Sequence, residues 1–179
     1  MARHRIVAAG LAALAVTAVG PAAAASLDSM MASRWQWSQG VDRITDQMVS
    51  RATLLTTAIE EQQLGLEEAR LALTCTAGKA VMDIDWSFKA AGPSNLTLEY
   101  RFAGRPGRGL KARYVNRSRE EVADIADIRR FLADARTSDR LRLRVTSDAY
   151  GTTEANFRAE AGADVVARFT AACHVAAPR

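Results

Sequence analysis

The stretch Val81-Met-Asp-Ile-Asp-Trp-Ser-Phe88 sets Met82, Ile84, Trp86 and Phe88 on one side and Val81, Asp83, Asp85 and Ser87 on the other. Strict alternation marks a half-buried strand, because successive side chains of an extended chain point to opposite faces. The same period recurs on the C-terminal side. Leu96, Leu98, Tyr100 and Phe102 alternate with Thr97, Glu99 and Arg101. Leu141, Leu143 and Val145 alternate with Arg140, Arg142 and Arg144, and Ala155, Phe157 and Ala159 with Glu154, Asn156 and Arg158. Leu71 to Cys75 and Leu110 to Tyr114 read as two further strands. Gly78-Lys79, Gly92-Pro-Ser-Asn95, Arg105-Pro-Gly107 and Asp148 to Gly151 supply turns between them.

Two segments break this rhythm. Ser118-Arg-Glu-Glu121 has capping-box spacing and predicts a helix starting at Ser118. Its apolar stripe is Val122, Ile125, Ile128, Phe131 and Leu132, and it ends near Thr137-Ser138. A second helix is expected from about Ala163 to His174, with Val165, Val166, Phe169 and Cys173 on one face. Residues 41–70 fit two patterns. Val41, Ile44, Met48, Leu55, Ile59, Leu64 and Leu66 follow a rough helical stripe. Thr45, Val49, Thr53, Thr56 and Thr57 favour extended chain, and Glu60 to Glu68 is polar like a loop. Two strands, about 34–39 and 47–58, joined by a turn at Gly40 to Thr45, are the preferred reading. The expected fold is one α+β domain: a mostly antiparallel, sandwich-like β-sheet structure with two packed helices.

Met1-Ala-Arg-His-Arg5 is basic, Ile6 to Gly20 is apolar and uncharged, and Pro21-Ala-Ala-Ala-Ala25 is small. This is the layout of a secretory signal peptide, residues 1–25, with cleavage near Ala25. Residues 26–179 would then be a single exported domain, periplasmic or secreted. The apolar run is shorter than the ~20 residues a spanning helix needs, and no later stretch is long and apolar enough. No stable membrane span is therefore expected after cleavage. In an oxidising compartment Cys75 and Cys173, the two cysteines of the chain, are expected to form a disulfide. Loss of Arg3 and Arg5 leaves 22 basic against 20 acidic residues, so much of the basic character of the full chain resides in the signal.

Two cysteines and, after cleavage, the single histidine His174 rule out zinc fingers, iron–sulfur sites and histidine clusters. No metal or cofactor is expected. A Cys/His nucleophile would need a thiol that the disulfide consumes. Asp83 and Asp85 are the one carboxylate pair near glycosidase spacing, with Cα atoms roughly 7 Å apart along a strand. Nothing around them in sequence suggests a raised pKa, and basic neighbours such as Arg101 are expected, so no catalytic residue is assigned.

Charge is unevenly spread. Residues 26–100 carry 6 basic and 10 acidic side chains, whereas residues 101–144 carry 13 and 6. Lys111, Arg113, Arg140, Arg142 and Arg144 occupy outward rows. If their strands are neighbours they form one positive face, suited to an acidic protein, a headgroup layer or a wall polymer. Nucleic acid is not expected, since no exposed aromatics interleave with these arginines. Trp35 and Trp37 point the same way on an extended chain; exposed they would be a platform for a sugar or a partner, buried they would close the sheet.

Taken in order, Trp35-Gln-Trp-Ser38, Asp42-Arg-Ile-Thr-Asp46, Leu71-Ala-Leu-Thr-Cys75, Asp83-Ile-Asp-Trp86 and Tyr100-Arg-Phe102 form a familiar series. Phe131-Leu132, Leu141-Arg-Leu-Arg-Val145, Ala155-Asn-Phe157, Gly162 and Cys173 continue it. The series resembles the small periplasmic proteins associated with type VI secretion, the VasI/TagO-like family, over about residues 35–175. It departs at Pro106 to Gly109 and Tyr114-Val-Asn-Arg117, where a Trp-Ser pair is expected in those relatives. The resemblance implies a non-enzymatic accessory protein and strands within 41–60; an envelope protein partner is expected, bound through an edge strand or the Arg-rich face. The alternative is another envelope-binding module, such as an inhibitor of a cell-wall hydrolase or a glycan binder using Trp35 and Trp37.

Overall fold

A computed structural model describes residues 35–56, 58–60, 69–86, 96–116, 119–148 and 151–175. Residues 1–25, read from sequence as a signal peptide, Phe88, the 92–95 turn and Ser118 lie outside them. Eleven strands are described: β1 (Gln36–Val41), β2 (Met48–Leu55), β3 (Ala58–Glu60), β4 (Ala69–Thr76), β5 (Lys79–Trp86), β6 (Thr97–Phe102), β7 (Arg108–Leu110), β8 (Ala112–Asn116), β9 (Arg119–Val122), β10 (Arg140–Ser147) and β11 (Gly151–Arg158). Two helices join them, α1 (Ile125–Ala135) and α2 (Gly162–Cys173). One sheet has six strands in the order β1-β2-β4-β5-β9-β8, the other five in the order β3-β11-β10-β6-β7. Every pairing is antiparallel. The expected α+β class, with its mostly antiparallel sheets, two helices and one disulfide, is the observed one.

Alternation decides what each sheet buries. Ala52 and Leu54, then Leu71, Leu73 and Cys75, then Met82, Ile84 and Trp86 form the inner rows of the six-stranded sheet. Leu98, Tyr100 and Phe102, then Leu141, Leu143 and Val145, then Ala155 and Phe157 form those of the five-stranded sheet. All belong to one continuous core. The helices close it. Phe131 of α1 meets the rings of Tyr100 and Phe102 at 5.2 and 5.3 Å between centroids, while α1 also contacts β5. Helix α2 lies against β2 and β4 and is joined to β4 by the Cys75–Cys173 disulfide, with Cα atoms 5.6 Å apart.

The two strands expected at about 34–39 and 47–58 are β1 and β2, joined by a turn, and the short β3 follows; residues 57 and 61–68 lie outside the described ones. Asp42 fixes that turn: its carboxylate accepts the N–H groups of Ile44 and Thr45 at 2.8 and 3.1 Å. These bonds hold its pKa below the usual carboxylate value.

Two expectations are corrected. Residues 119–122 are a strand, not the first turn of a helix. Glu120 and Val122 point inward and are fully buried, and Trp86 Nε1 donates to Glu120 Oε2 at 2.6 Å. A helix here would turn both out of register with β5, so the period of two prevails. The cap is Asp124, whose carboxylate accepts from the N–H groups of Ala126 and Asp127. Its pKa is lowered, chiefly by the bond from Ala126.

Leu110 to Tyr114 is likewise not one strand. β7 belongs to the five-stranded sheet and β8 to the six-stranded sheet, with Lys111 at the crossing. The N–H of Lys111 donates to Asp127 Oδ2 at 2.7 Å, and its Nζ reaches Asp124 Oδ2 at 3.3 Å. The start of α1 thus supplies the acceptor that the missing strand neighbour would have offered.

The contact between the helices depends on one glycine. A Cβ on Gly162 would sit 2.2 Å from the Ala135 carbonyl oxygen, inside van der Waals contact with backbone. Gly162→Ala should therefore push α2 away from the end of α1 and cost about 2 kcal/mol, the usual scale of overpacking. A shift in the urea midpoint at unchanged m-value checks it, and an unchanged midpoint would refute the close approach.

Candidate binding surface

The outward rows of β6, β10 and β11 run across the five-stranded sheet in register. Moving along β10, Thr146 faces Thr97 and Thr152, Arg144 faces Glu99 and Glu154, Arg142 faces Arg101 and Asn156, and Arg140 faces Arg158. The rows differ in charge balance. Arg144 is flanked by two carboxylates: it pairs with Glu154 at 2.5 Å and lies 3.8 Å from Glu99. Arg142 Nε donates to Asn156 Oδ1 at 2.9 Å, and its Nη1 lies 3.3 Å from Glu154. Arg101, Arg140 and Arg158 are exposed, and their side chains make no ion pair among the described residues. Positive charge without an ion pair among the described residues therefore lies at Arg101, Arg140 and Arg158, at one end of the face.

A cavity of about 140 Å³ opens on this face, lined by Glu99, Tyr100, Arg101, Gly107, Arg142 and Arg144. The loop carrying Gly107 is anchored from beneath. Tyr100 OH and Arg105 Nη1 both donate to the buried carboxylate of Asp134 at 2.9 Å, and Arg108 Nε lies 3.3 Å from it. Arg105 Nη2 also reaches Thr137 Oγ1 at 2.8 Å. Burial, followed by the bond to Asp134, raises the Tyr100 pKa far above its ordinary value, so the phenol remains a donor.

The other arginines singled out in the sequence lie elsewhere. Arg113 is on β8 and Lys111 at the crossing into it, in a different sheet from Arg140, Arg142 and Arg144. Arg113 pairs with Glu121, and Lys111 with Asp124. The five basic residues thus do not share one face. Trp35 is buried, at 7% exposure, and Trp37 is partly buried against the core, so the two indoles make no open platform. Asp83 and Asp85 are paired separately, with Arg119 at 3.2 Å and Arg70 at 2.8 Å. Arg101 is in the opposite sheet from both. Burial does raise the Asp83 pKa, countered in part by Arg119.

Sequence reasoning missed three groups that the fold makes prominent. Glu120 is wholly buried, its Oε1 has no hydrogen-bond partner among the described residues, and burial pushes its pKa up to about 7. Asp127 and Asp134 are also buried, each holding basic or backbone donors. The signal available for Glu120 was its place on the inward phase of an alternating Arg-Glu-Glu-Val run.

Among the described residues no group of His, Cys, Asp and Glu could hold a metal ion. No helix among them is long and apolar enough to cross a membrane. No family model, curated protein or solved structure matches the chain.

Proposed function

We propose that this is a non-enzymatic accessory protein of the cell envelope that captures an anionic partner on the outward face of its five-stranded sheet. The observation that carries this reading is the arginine group at one end of that face, where Arg101, Arg140 and Arg158 make no ion pair among the described residues. Like charges placed directly opposite on paired strands destabilise a sheet, and here two such pairs are adjacent, Arg101 with Arg142 and Arg140 with Arg158. An anionic partner relieves that repulsion. The disulfide supports residence in an oxidising compartment, periplasmic or extracellular. The resemblance to the VasI/TagO-like proteins supports a place beside a type VI secretion machine. The separate ion pairs of Asp83 and Asp85 give neither the freedom of a catalytic acid–base couple, which supports the non-enzymatic reading.

Crosslinking in intact cells with identification of captured envelope proteins tests this. Secretion components should be enriched over a control in which Arg140 and Arg158 are both changed to Glu. Capture of a lone wall hydrolase would replace the secretion role by inhibition, and capture indifferent to the two reversals would move the binding surface elsewhere. Asp83→Asn with Asp85→Asn should leave capture unchanged.

A further inference from the structure

We infer that β1 is an assembly edge, pairing antiparallel with β1 of a second copy of this chain about a two-fold axis at Gln39. The inference is independent of the arginines, which lie on the other sheet. It starts from how the sheet edges are protected. An edge strand offers unpaired backbone groups to other chains, and proteins blunt it with charge, proline, bulges or short length. Among the described edge strands β3 and β7 have three residues each. β8 carries Arg113 and a register shift between Tyr114 and Asn116. β1 has none of these devices. Its six residues, Gln36-Trp-Ser-Gln-Gly-Val41, include no charge and no proline, and they pair with β2 without a break in register.

The backbone fixes which residues of β1 face the open edge. The N–H of Asp42 donates to the Gln47 carbonyl at 2.9 Å, so position 42 turns its backbone toward the β2 side. Backbone direction alternates along an antiparallel strand. Gly40 and Ser38 therefore follow Asp42, whereas Val41, Gln39 and Trp37 turn their N–H and C=O groups to the open edge. No strand is bonded to that edge among the described residues. The side chains of the same three residues are on the inner phase, since Trp37 pairs with the buried Ala52 and Val41 with Met48. Trp37 packs against the core, but Val41 and Met48 are 56% and 53% exposed. The inner row thus runs past its own cover at this end of the sheet.

A second β1 completes both features. In the register centred on Gln39, Trp37 of each copy faces Val41 of the other, Gln39 faces Gln39, and Ser38 faces Gly40. Trp37 with Val41 is an aromatic–β-branched pair, a favourable cross-strand combination, and symmetry supplies it twice. Met48 and Val41 of one copy then continue the row formed by Trp37 and Ala52 of the other. The two strands exchange about six backbone hydrogen bonds. No like charges meet across the axis. A register shifted by one residue would set inner against outer phase, and one shifted by two would separate Trp37 from Val41. The strand is complementary to its own reverse, which favours a second copy over a foreign strand.

Sedimentation velocity of the disulfide-bonded protein from micromolar to millimolar concentration, with light scattering for mass, tests this. The mass is expected to rise twofold with concentration. Gln39→Lys and Gln39→Glu each place like charges directly opposite across the axis and should weaken the dimer at least about tenfold. An equimolar mixture of the two should restore it, because position 39 meets itself only in this register, and restoration also shows that both variants fold. Gln39→Pro removes an N–H directed at the open edge and none directed at β2, so it should give a monomer with an unchanged circular dichroism spectrum. A single-chain mass at every concentration overturns the inference. Dimers that both charge variants leave intact, or that their mixture fails to restore, overturn the register. A photocrosslinking residue in place of Gln39 should yield, in intact cells, a product of twice the chain's mass. A product with a different envelope protein alone overturns the second copy as occupant.

Discussion

Replacing Cys173 by serine should lower the stability of the protein by about 4–5 kcal/mol. The bridge closes a sequence separation of 98 residues, and in the chain-entropy model a loop of that length leaves the unfolded chain much freer once it is cut. The native state loses as well. Cys75 and Cys173 are 3% and 2% exposed, so serine would bury an unmatched hydroxyl. Helix α2 has little else to pin its ends. It starts at Ala161 and stops at His174, both with left-handed backbone at φ 62 and 51, and it has no side-chain cap at its start. What remains is the packing of Val165, Val166 and Phe169 and the close approach of Gly162 to Ala135. Urea unfolding with and without reductant measures the effect. Equal midpoints would mean that the apolar face alone holds the helix, and the Cys75→Ala, Cys173→Ala double variant separates the lost crosslink from the buried hydroxyl.

The second large effect is a pH dependence centred on Glu120. Burial raises its folded pKa to about 7 from an ordinary value of 4.5. Between these two values the folded protein holds a proton that the unfolded chain has released. Stability from this group is thus fully present below about 4.5 and is lost as pH rises through about 7, by roughly 3 kcal/mol in all. Trp86 Nε1 donates to the carboxyl at 2.6 Å and favours its charged form, and Asp85 opposes it. Desolvation outweighs both. Glu120→Gln keeps an acceptor for Trp86 and removes the proton equilibrium, so its stability should be flat across the same window. A wild-type urea midpoint that does not fall from pH 4.5 to 7 would sink this assignment. Asp124 acts with the opposite sign and in a lower window. Its pKa is depressed, so its contribution is lost as pH falls below the carboxylate range.

The strands were legible because alternation is a local property. Met82, Ile84 and Trp86 are buried in the structure for the same reason that they stand out in the chain: a pleated strand gives every second side chain to the core. Helix α2 was legible from its spaced Val165, Val166 and Phe169. Helix α1 was legible in its stripe but not in its start. Ser118-Arg-Glu-Glu121 and Asp124 both have local capping chemistry, and the choice was made by β5, which offers a pairing edge and the Trp86 donor to residues 119–122. The single reading of Leu110 to Tyr114 failed similarly, since nothing in that run reveals that Asp127 will take the N–H of Lys111.

The candidate site divides along the same line. That Arg140, Arg142 and Arg144 point outward follows from their alternation with Leu141, Leu143 and Val145, and it holds whatever lies beside them. Which charges face them does not follow. Arg101 stands opposite Arg142 because β6 and β10, far apart in the chain, are paired, and Glu154 stands opposite Arg144 because of the register between the consecutive strands β10 and β11. Pairing of β8 with β9 places Arg113 in the other sheet, and Trp35 is buried in the core. Composition and periodicity determined the class of fold, the inward and outward phase of each strand, and the pair of cysteines available for a bridge. Only the tertiary structure decided which arginines are neutralised and which are left opposed, because short-range side-chain preferences set direction from the backbone, whereas charge balance depends on neighbours that only strand pairing brings together.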